Sequence, residues 1–233
     1  MRRHVKLAAI VAAVVLVPTS GLARPRPQRE TERVDRTVPL QSGGTLKLNN
    51  FSGHVTITGT DRSDVLIHAV RRASRDRLDR IHLDIDQTGD EVDIEANKRD
   101  HSWRDHGDNV VDTDFEIQVP RHTNLEVHVF SSDVHVTDVT GTKQLRTFSG
   151  DVTVAGDDGP VKASTFSGDI EVGLAPGASI GSVDFDSFSG DLHSDLPLVV
   201  HASRRRHFRA EGTPGGRDAL SLTTFSGNVR ITK

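Results

Sequence analysis

The chain has no cysteine and no tyrosine, a single tryptophan and a single methionine, so nine phenylalanines supply most of its 4% aromatic content. Without cysteine there is no disulfide to staple an exported fold and no thiol to carry a lipid anchor. Apolar residues make up only 34% of the 233, and 20 are glycine, a balance that suits thin layers with many turns. Stability then has to come from continuous backbone pairing around a stacked apolar interior. No apolar run reaches the roughly 20 residues of a bilayer-spanning helix. Charge is also without strong bias, at a formal net of −4, which argues mildly against nucleic acid or an anionic membrane as partner.

What is present begins with the N-terminus. Arg2, Arg3 and Lys6 precede an apolar run from Leu7 to Val17, followed by Pro18, Ser20 and the small-x-small triplet Gly21-Leu22-Ala23. This is the pattern of a cleaved export signal over residues 1–23, and it predicts a periplasmic, extracellular or cell-surface protein. Cleavage takes three of the 29 basic residues and leaves the 33 acidic ones in excess by seven. It also leaves no segment for stable membrane insertion. Residues 24–36 are charged and contain proline, and read as a disordered linker. Residues 37–233 then form one domain.

The tripeptide Phe-Ser-Gly occurs at Phe51, Phe148, Phe166, Phe188 and Phe225, and a sixth copy at Phe130 reads Phe-Ser-Ser. The middle four copies are 18, 18 and 22 residues apart, a period that marks one supersecondary unit stacked on itself. Around Phe148, Leu145 and Thr147 alternate with Arg146, and Val152 and Val154 alternate with Thr153. The other copies repeat this with Val161, Ala163, Thr165, Ile170 and Val172, or with Leu125, Val127, Val129, Val134 and Val136. Each unit is thus two short strands of period two joined by a corner. The odd spacing between the inward sets on either side of the corner requires one residue to break the pleat. Gly150, Gly168, Gly190 and Gly227 are the residues able to do so. Such units bury their apolar edges only by stacking, which predicts an all-β fold, a parallel β-solenoid (β-helix), with repeats clearest over 124–233.

The N-terminal part reads as β-rich but less regular. Ile81–Ile85 and Val92–Ala96 flank the turn Gln87-Thr88-Gly89-Asp90 and predict an antiparallel hairpin. Ser74–Arg80 suggests one capped helical turn, Asn97–Asp114 a polar loop, and Phe115–Val119 a strand. The 37-residue step from Phe188 to Phe225 suggests a hidden degenerate rung around Phe208.

The unit T-F-S-G-D-[VI]-x-[VI], read at Thr147–Val154 and Thr165–Val172, resembles the repeat of the bacterial putative-adhesin β-solenoid family of exported domains. The resemblance runs from about Val38 to Ile231 and takes in QVPRHTNLEVHV and the terminal LSLTTFSGNVRITK. It implies a solenoid and an adhesin-like role, and it brings no catalytic residue to carry over.

Four groups of residues are candidates for chemistry. Phe130, Phe148, Phe166 and Phe188 should stack on consecutive rungs. Turned outward, they would offer aromatic faces to a sugar or a partner protein, or simply stack half-exposed on one another with no ligand; turned inward, they would be core. Asp133, Asp151, Asp169 and Asp191 follow the corners and predict a solvated acidic stripe, with a calcium site as the alternative. His101, Asp105, His106 and Asp108 raise a zinc site without a third ligand placed by any motif. The run Arg204, Arg205, Arg206, His207, Arg209 offers an anion contact or simply a solvated strand face. A serine repeated at every corner is not a nucleophile, and no hydrolase signature, cofactor motif or metal motif is found.

These readings predict a non-enzymatic exported binding or scaffold module of the cell envelope, with an envelope glycan or protein as partner. The chain end after Ile231 suggests an open edge for end-to-end self-association. A polysaccharide-processing β-helix enzyme and an accessory of envelope-stress signalling are the alternatives.

Overall fold

A computed structural model describes residues 29–99, 110–204, 207–212, 216 and 218–233. The expected export signal, the His101–Asp108 cluster, and Arg205 and Arg206 of the basic run lie outside the described residues. The described chain is all-β apart from one short helix. In the first half the strands are β1 (Glu30–Pro39), β2 (Thr45–Thr60), β3 (Asp64–Ala73), β4 (Ile81–Thr88), β5 (Glu91–Arg99), β6 (Asp112–Pro120) and β7 (Asn124–Thr137), with α1 (Arg75–Arg80) between β3 and β4. The repeats continue as β8 (Lys143–Ser149), β9 (Val152–Asp157), β10 (Val161–Ser167), β11 (Ile170–Leu174), β12 (Ile180–Ser189) and β13 (Leu192–Ser194). The chain ends with β14 (Val199–Arg204), β15 (His207–Glu211), β16 (Asp218–Ser226) and β17 (Val229–Thr232).

The repeats at Phe148, Phe166, Phe188 and Phe225 fold as predicted from their alternation, into one strand that ends at the motif serine and one after the corner, whereas at Phe51 and Phe130 a single strand, β2 or β7, runs through the motif. Copies pair in parallel with like residues opposed: Val152 faces Ile170, and Leu145 faces both Val127 and Ala163. The inward residues of both arms, from Leu46 and Ile57 to Leu222 and Ile231, belong to one buried core. Leu78 of α1 closes a smaller one with Ala73, Ile81 and Val111.

The parallel β-solenoid expected from the repeat is only partly matched, because the sheet is mixed; of its antiparallel pairs, the β4–β5 hairpin was expected and the others were not. Beyond β2, the chain adds β6, β3 and β1 on one arm and β5 and β4 on the other, with antiparallel pairs β3–β6, β1–β3 and β4–β5. At the opposite end β12 pairs antiparallel with β15, and β15 with β14. The sequence there lacks the corner motif, so the chain turns back as a hairpin instead of wrapping another rung. The degenerate rung expected around Phe208 is this hairpin, in which Phe208 is registered against Phe185.

Two further expectations are corrected. Residues 30–36 of the expected linker are strand, not disordered. β1 pairs with β3 from Glu30–Ala73 to Pro39–Asp64, Val34 and Val38 pack against the core, and buried Arg71 donates to Glu32 and to the Ile81 carbonyl. The last repeat is not an end either. β16 lies between β10 and β12, and β17 lies between β11 and β13, so the edge expected after Ile231 is already paired on both sides.

The motif's composition follows from this stacking, because each residue meets its own copy one rung away. Thr147, Thr165 and Thr224 donate from Oγ1 to the corner carbonyls of Ser132, Gly150 and Gly168, at 3.2, 3.3 and 3.4 Å. At the corner itself Gly168 has φ +149°, and a Cβ there would lie 2.1 Å from the Gly150 carbonyl oxygen. Only glycine lets two rungs approach so closely. The aspartates form a third column, and it is not a free stripe of charge. Asp133 accepts the amide of Asp151 (2.9 Å), Asp151 that of Asp169 (2.8 Å), and Asp169 that of Asn228 (2.6 Å). Carboxylates thus satisfy amides that the corner frees from the ladder. Asp114 begins this column by accepting the His54 amide at 3.0 Å. Burial pushes its carboxyl upward, but Arg72 and that amide outweigh the burial and hold it below the usual carboxylate range.

On the far side of the rungs, Lys143 is fully buried and its ammonium meets three acceptors. These are Asp157 Oδ1 at 2.7 Å and the carbonyls of Val139 and Gly141 at 2.8 and 2.7 Å. Neither Asp157 carboxylate oxygen has a hydrogen-bond partner among the described residues, so Oδ1 meets Lys143 as an ion pair. Burial raises the Asp157 carboxyl above its ordinary value, and the adjacent Lys143 offsets this only in part.

Three outcomes follow. Gly168→Ala should cost on the order of 1–3 kcal/mol from backbone strain and overpacking. Gly89→Ala, at a left-handed turn with open space around it, should cost about 1 kcal/mol. Equal losses in urea unfolding would mean the rung contact is unimportant. Lys143→Met should cost about 3–5 kcal/mol by stranding a buried carboxylate, and adding Asp157→Leu should recover most of it. A double variant no more stable than the single one would contradict that account. Because the folded state holds the Asp157 proton more tightly than the unfolded chain does, its contribution is complete below the unfolded value and declines as pH rises through the folded one. The stability difference between wild type and Asp157→Asn, followed by urea unfolding against pH, should therefore shrink as pH climbs from about 4. A flat difference would contradict the assignment.

Candidate ligand-binding groove

The phenylalanines end up outside the core. The residue before each ring already fills the inward slot, so the ring turns to solvent, and all six are between 37% and 53% exposed. They form one row in the order Phe51, Phe130, Phe148, Phe166, Phe225, Phe188. Of the four rings expected to be consecutive, Phe130, Phe148 and Phe166 are neighbours. Phe188 is not, because Phe225 stands between it and Phe166. Phe51 and Phe225 complete the row, and the tripeptide they share with the others was the signal for them.

The geometry of the row decides what it offers. Successive ring centres are 4.6–4.9 Å apart, and the planes lie within 17° of parallel. Rings side by side in one plane cannot come so close, so they overlap with an offset, face against face. The faces expected to receive sugars are mostly covered by neighbouring rings. What points outward is a continuous strip of ring edges, the electropositive rim of the aromatic quadrupole.

Beside this strip runs a shallow groove of about 810 Å³. Its floor is the column of outward residues two positions before each phenylalanine. Parallel register sets these in the order Asn49, His128, Arg146, Ser164, Thr223, Asp186, with Glu95 beyond Asn49. Sequence reading did not single out these floor residues. Each looks like an unremarkable polar strand position, and only the rung order makes neighbours of them. The groove has the Arg146 cation in its middle with the His128 imidazole beside it, a neutral stretch at Ser164 and Thr223, and a carboxylate at each end.

The chain was compared with known proteins on both sequence and fold. A putative cell adhesion protein from Clostridium sporogenes superposes with a TM-score of 0.60 at 12% identity, covering 89% of this chain and 99% of that one. A putative adhesin from Bacteroides fragilis (TM-score 0.30, 12% identity, 86% and 97% covered) is also similar. So is a putative lipid binding protein from Parabacteroides distasonis (0.27, 10%, 88% and 97%). No curated protein matches the sequence significantly. The first superposition establishes a shared fold, and the other two are too distant to carry an argument. The profile of the Toastrack DUF4097 family matches residues 109–232, more than half of the sequence, and the chain belongs to that family.

Proposed function

We propose that this protein is an exported, non-enzymatic β-solenoid module of the cell envelope that binds an extended partner along the phenylalanine-edged groove. The observation that carries this reading is the row itself. Six half-exposed aromatic rings lie in one unbroken line on a surface otherwise made of polar strand residues. Solvent-exposed apolar strips of this kind mark interaction sites more often than they serve folding. The N-terminal charge and apolar pattern supports export, and no helix among the described residues is long and apolar enough to cross a membrane. The adhesion name carried by the Clostridium sporogenes protein agrees with this reading by analogy of fold.

A polysaccharide-processing enzyme fits the groove less well. Glycosidases hold their two carboxylates about 5–9.5 Å apart across the scissile bond. Here Glu95 and Asp186 stand at opposite ends of a row six rings long.

The test is retention on insoluble envelope material, meaning sacculi with their attached polymers and proteins. Wild type should be retained, and Phe148→Ser or Phe166→Ser should not, with far-UV dichroism unchanged. Equal retention of all three would sink the groove as the binding surface. The rings also stabilise one another, at about 0.5–1.5 kcal/mol per stacked pair. Phe148→Ala, with a neighbour on each side, should accordingly cost about twice as much stacking energy as Phe51→Ala, which has one ring neighbour. Thermal unfolding of the two variants checks this.

A further inference from the structure

The groove has an asymmetry that narrows its ligand, an inference resting on the reading of the groove as the binding surface. Arg146 and His128 face each other across the β7–β8 register, and neither has an ion-pair or hydrogen-bond partner among the described residues. From Arg146 toward Phe188 the floor is neutral, with only the hydroxyls of Ser164 and Thr223 before Asp186. Alongside that stretch run the edges of Phe148, Phe166 and Phe225, each 4.6–4.9 Å from the next.

Three ligand classes meet this surface differently. A neutral glycan would find the ring faces already covered by neighbouring rings, so stacking of sugar on aromatic has little to act on. A linear polyanion would be drawn to Arg146 but would run into Glu95 in one direction and find no further cation on the floor in the other. A cationic amphiphile would meet positive ring edges and two basic side chains. An unbranched chain with one anionic head satisfies every part. The head pairs with Arg146 and His128, the apolar tail asks for no hydrogen bonds, and the terminal carboxylates of the groove lie beyond either end of the contact.

We propose that the groove binds a long-chain fatty acid, its carboxylate held by Arg146 and His128 and its acyl chain lying along Phe148, Phe166 and Phe225.

The experiment uses the mature chain and a dansyl-labelled undecanoate as fluorescent probe, with laurate, hexanoate and dodecyltrimethylammonium as competitors below their micelle-forming concentrations. Saturable binding of the probe is expected, displaced by laurate and at least tenfold less well by hexanoate or by the ammonium compound. Arg146→Glu should weaken probe binding at least tenfold, and Ser164→Asp, which puts a charge under the chain, should do likewise. Both positions are exposed or half-exposed, so thermal unfolding should be unchanged in each. Equal displacement by laurate and the ammonium compound would overturn the proposal, as would binding indifferent to Arg146→Glu. Retention on sacculi that depends on Phe148, in a protein that does not bind laurate, would overturn the fatty-acid assignment while leaving the groove as the binding surface. Laurate binding that survives both Phe148→Ser and Phe166→Ser would place the ligand elsewhere and overturn the inference.

Discussion

Every repeated side chain in this protein is confined to the rung spacing of about 4.8 Å set by backbone hydrogen bonding. A residue at a given motif position therefore meets its own copies before it meets anything else. Threonine survives inside the core because the corner carbonyl one rung away accepts its hydroxyl. Aspartate survives in a column of like charge because each carboxylate takes an amide of the next rung. Glycine is required where two corner backbones come closer than a Cβ permits. The tripeptide and its flanks are a set of contacts between copies, and this is why the most conspicuous feature of the sequence says so little about activity.

The same spacing governs the phenylalanines and, through them, what the surface can recognise. At this distance parallel rings must overlap, so the stack uses up its own faces. What the row leaves exposed are the ring edges and the residues beside them, which vary from rung to rung. The variation is where chemistry enters: identical rungs make the scaffold, and His128, Arg146, Ser164, Thr223 and Asp186 differ on it. The charge inside the fold is arranged differently. Lys143 donates to two backbone carbonyls and lies 2.7 Å from Asp157 Oδ1, while neither oxygen of Asp157 is matched by a hydrogen bond among the described residues. That asymmetry makes the pair a sensitive point of stability.

The ends of the stack depart from the repeat. At one end β1, whose Val34 and Val38 pack against the core, finishes an antiparallel extension. At the other the β14–β15 hairpin covers β12. Exposed edges of parallel rungs invite further strands to add, and irregular antiparallel caps limit this. Inserting the final repeat between two earlier ones has a related effect: the last residues of the chain are held on both sides.

The sequence by itself determined the strands, the corners and the facing of like on like, because period-two alternation and a phase break at glycine are local properties. The Ile81–Ala96 hairpin was legible for the same reason, with Gly89 at its turn. Only the tertiary structure decided which rung lies beside which. The copies at Phe166, Phe188 and Phe225 are nearly interchangeable, so pattern alone cannot say that Phe225 belongs between the other two. It could not show β1 either, whose two inward valines mean little until β3 is there to pair with. Ring tilt, the groove floor and the Lys143–Asp157 contact are likewise settled by non-local neighbours, since each depends on side chains brought together by the order of the rungs rather than by their order in the chain.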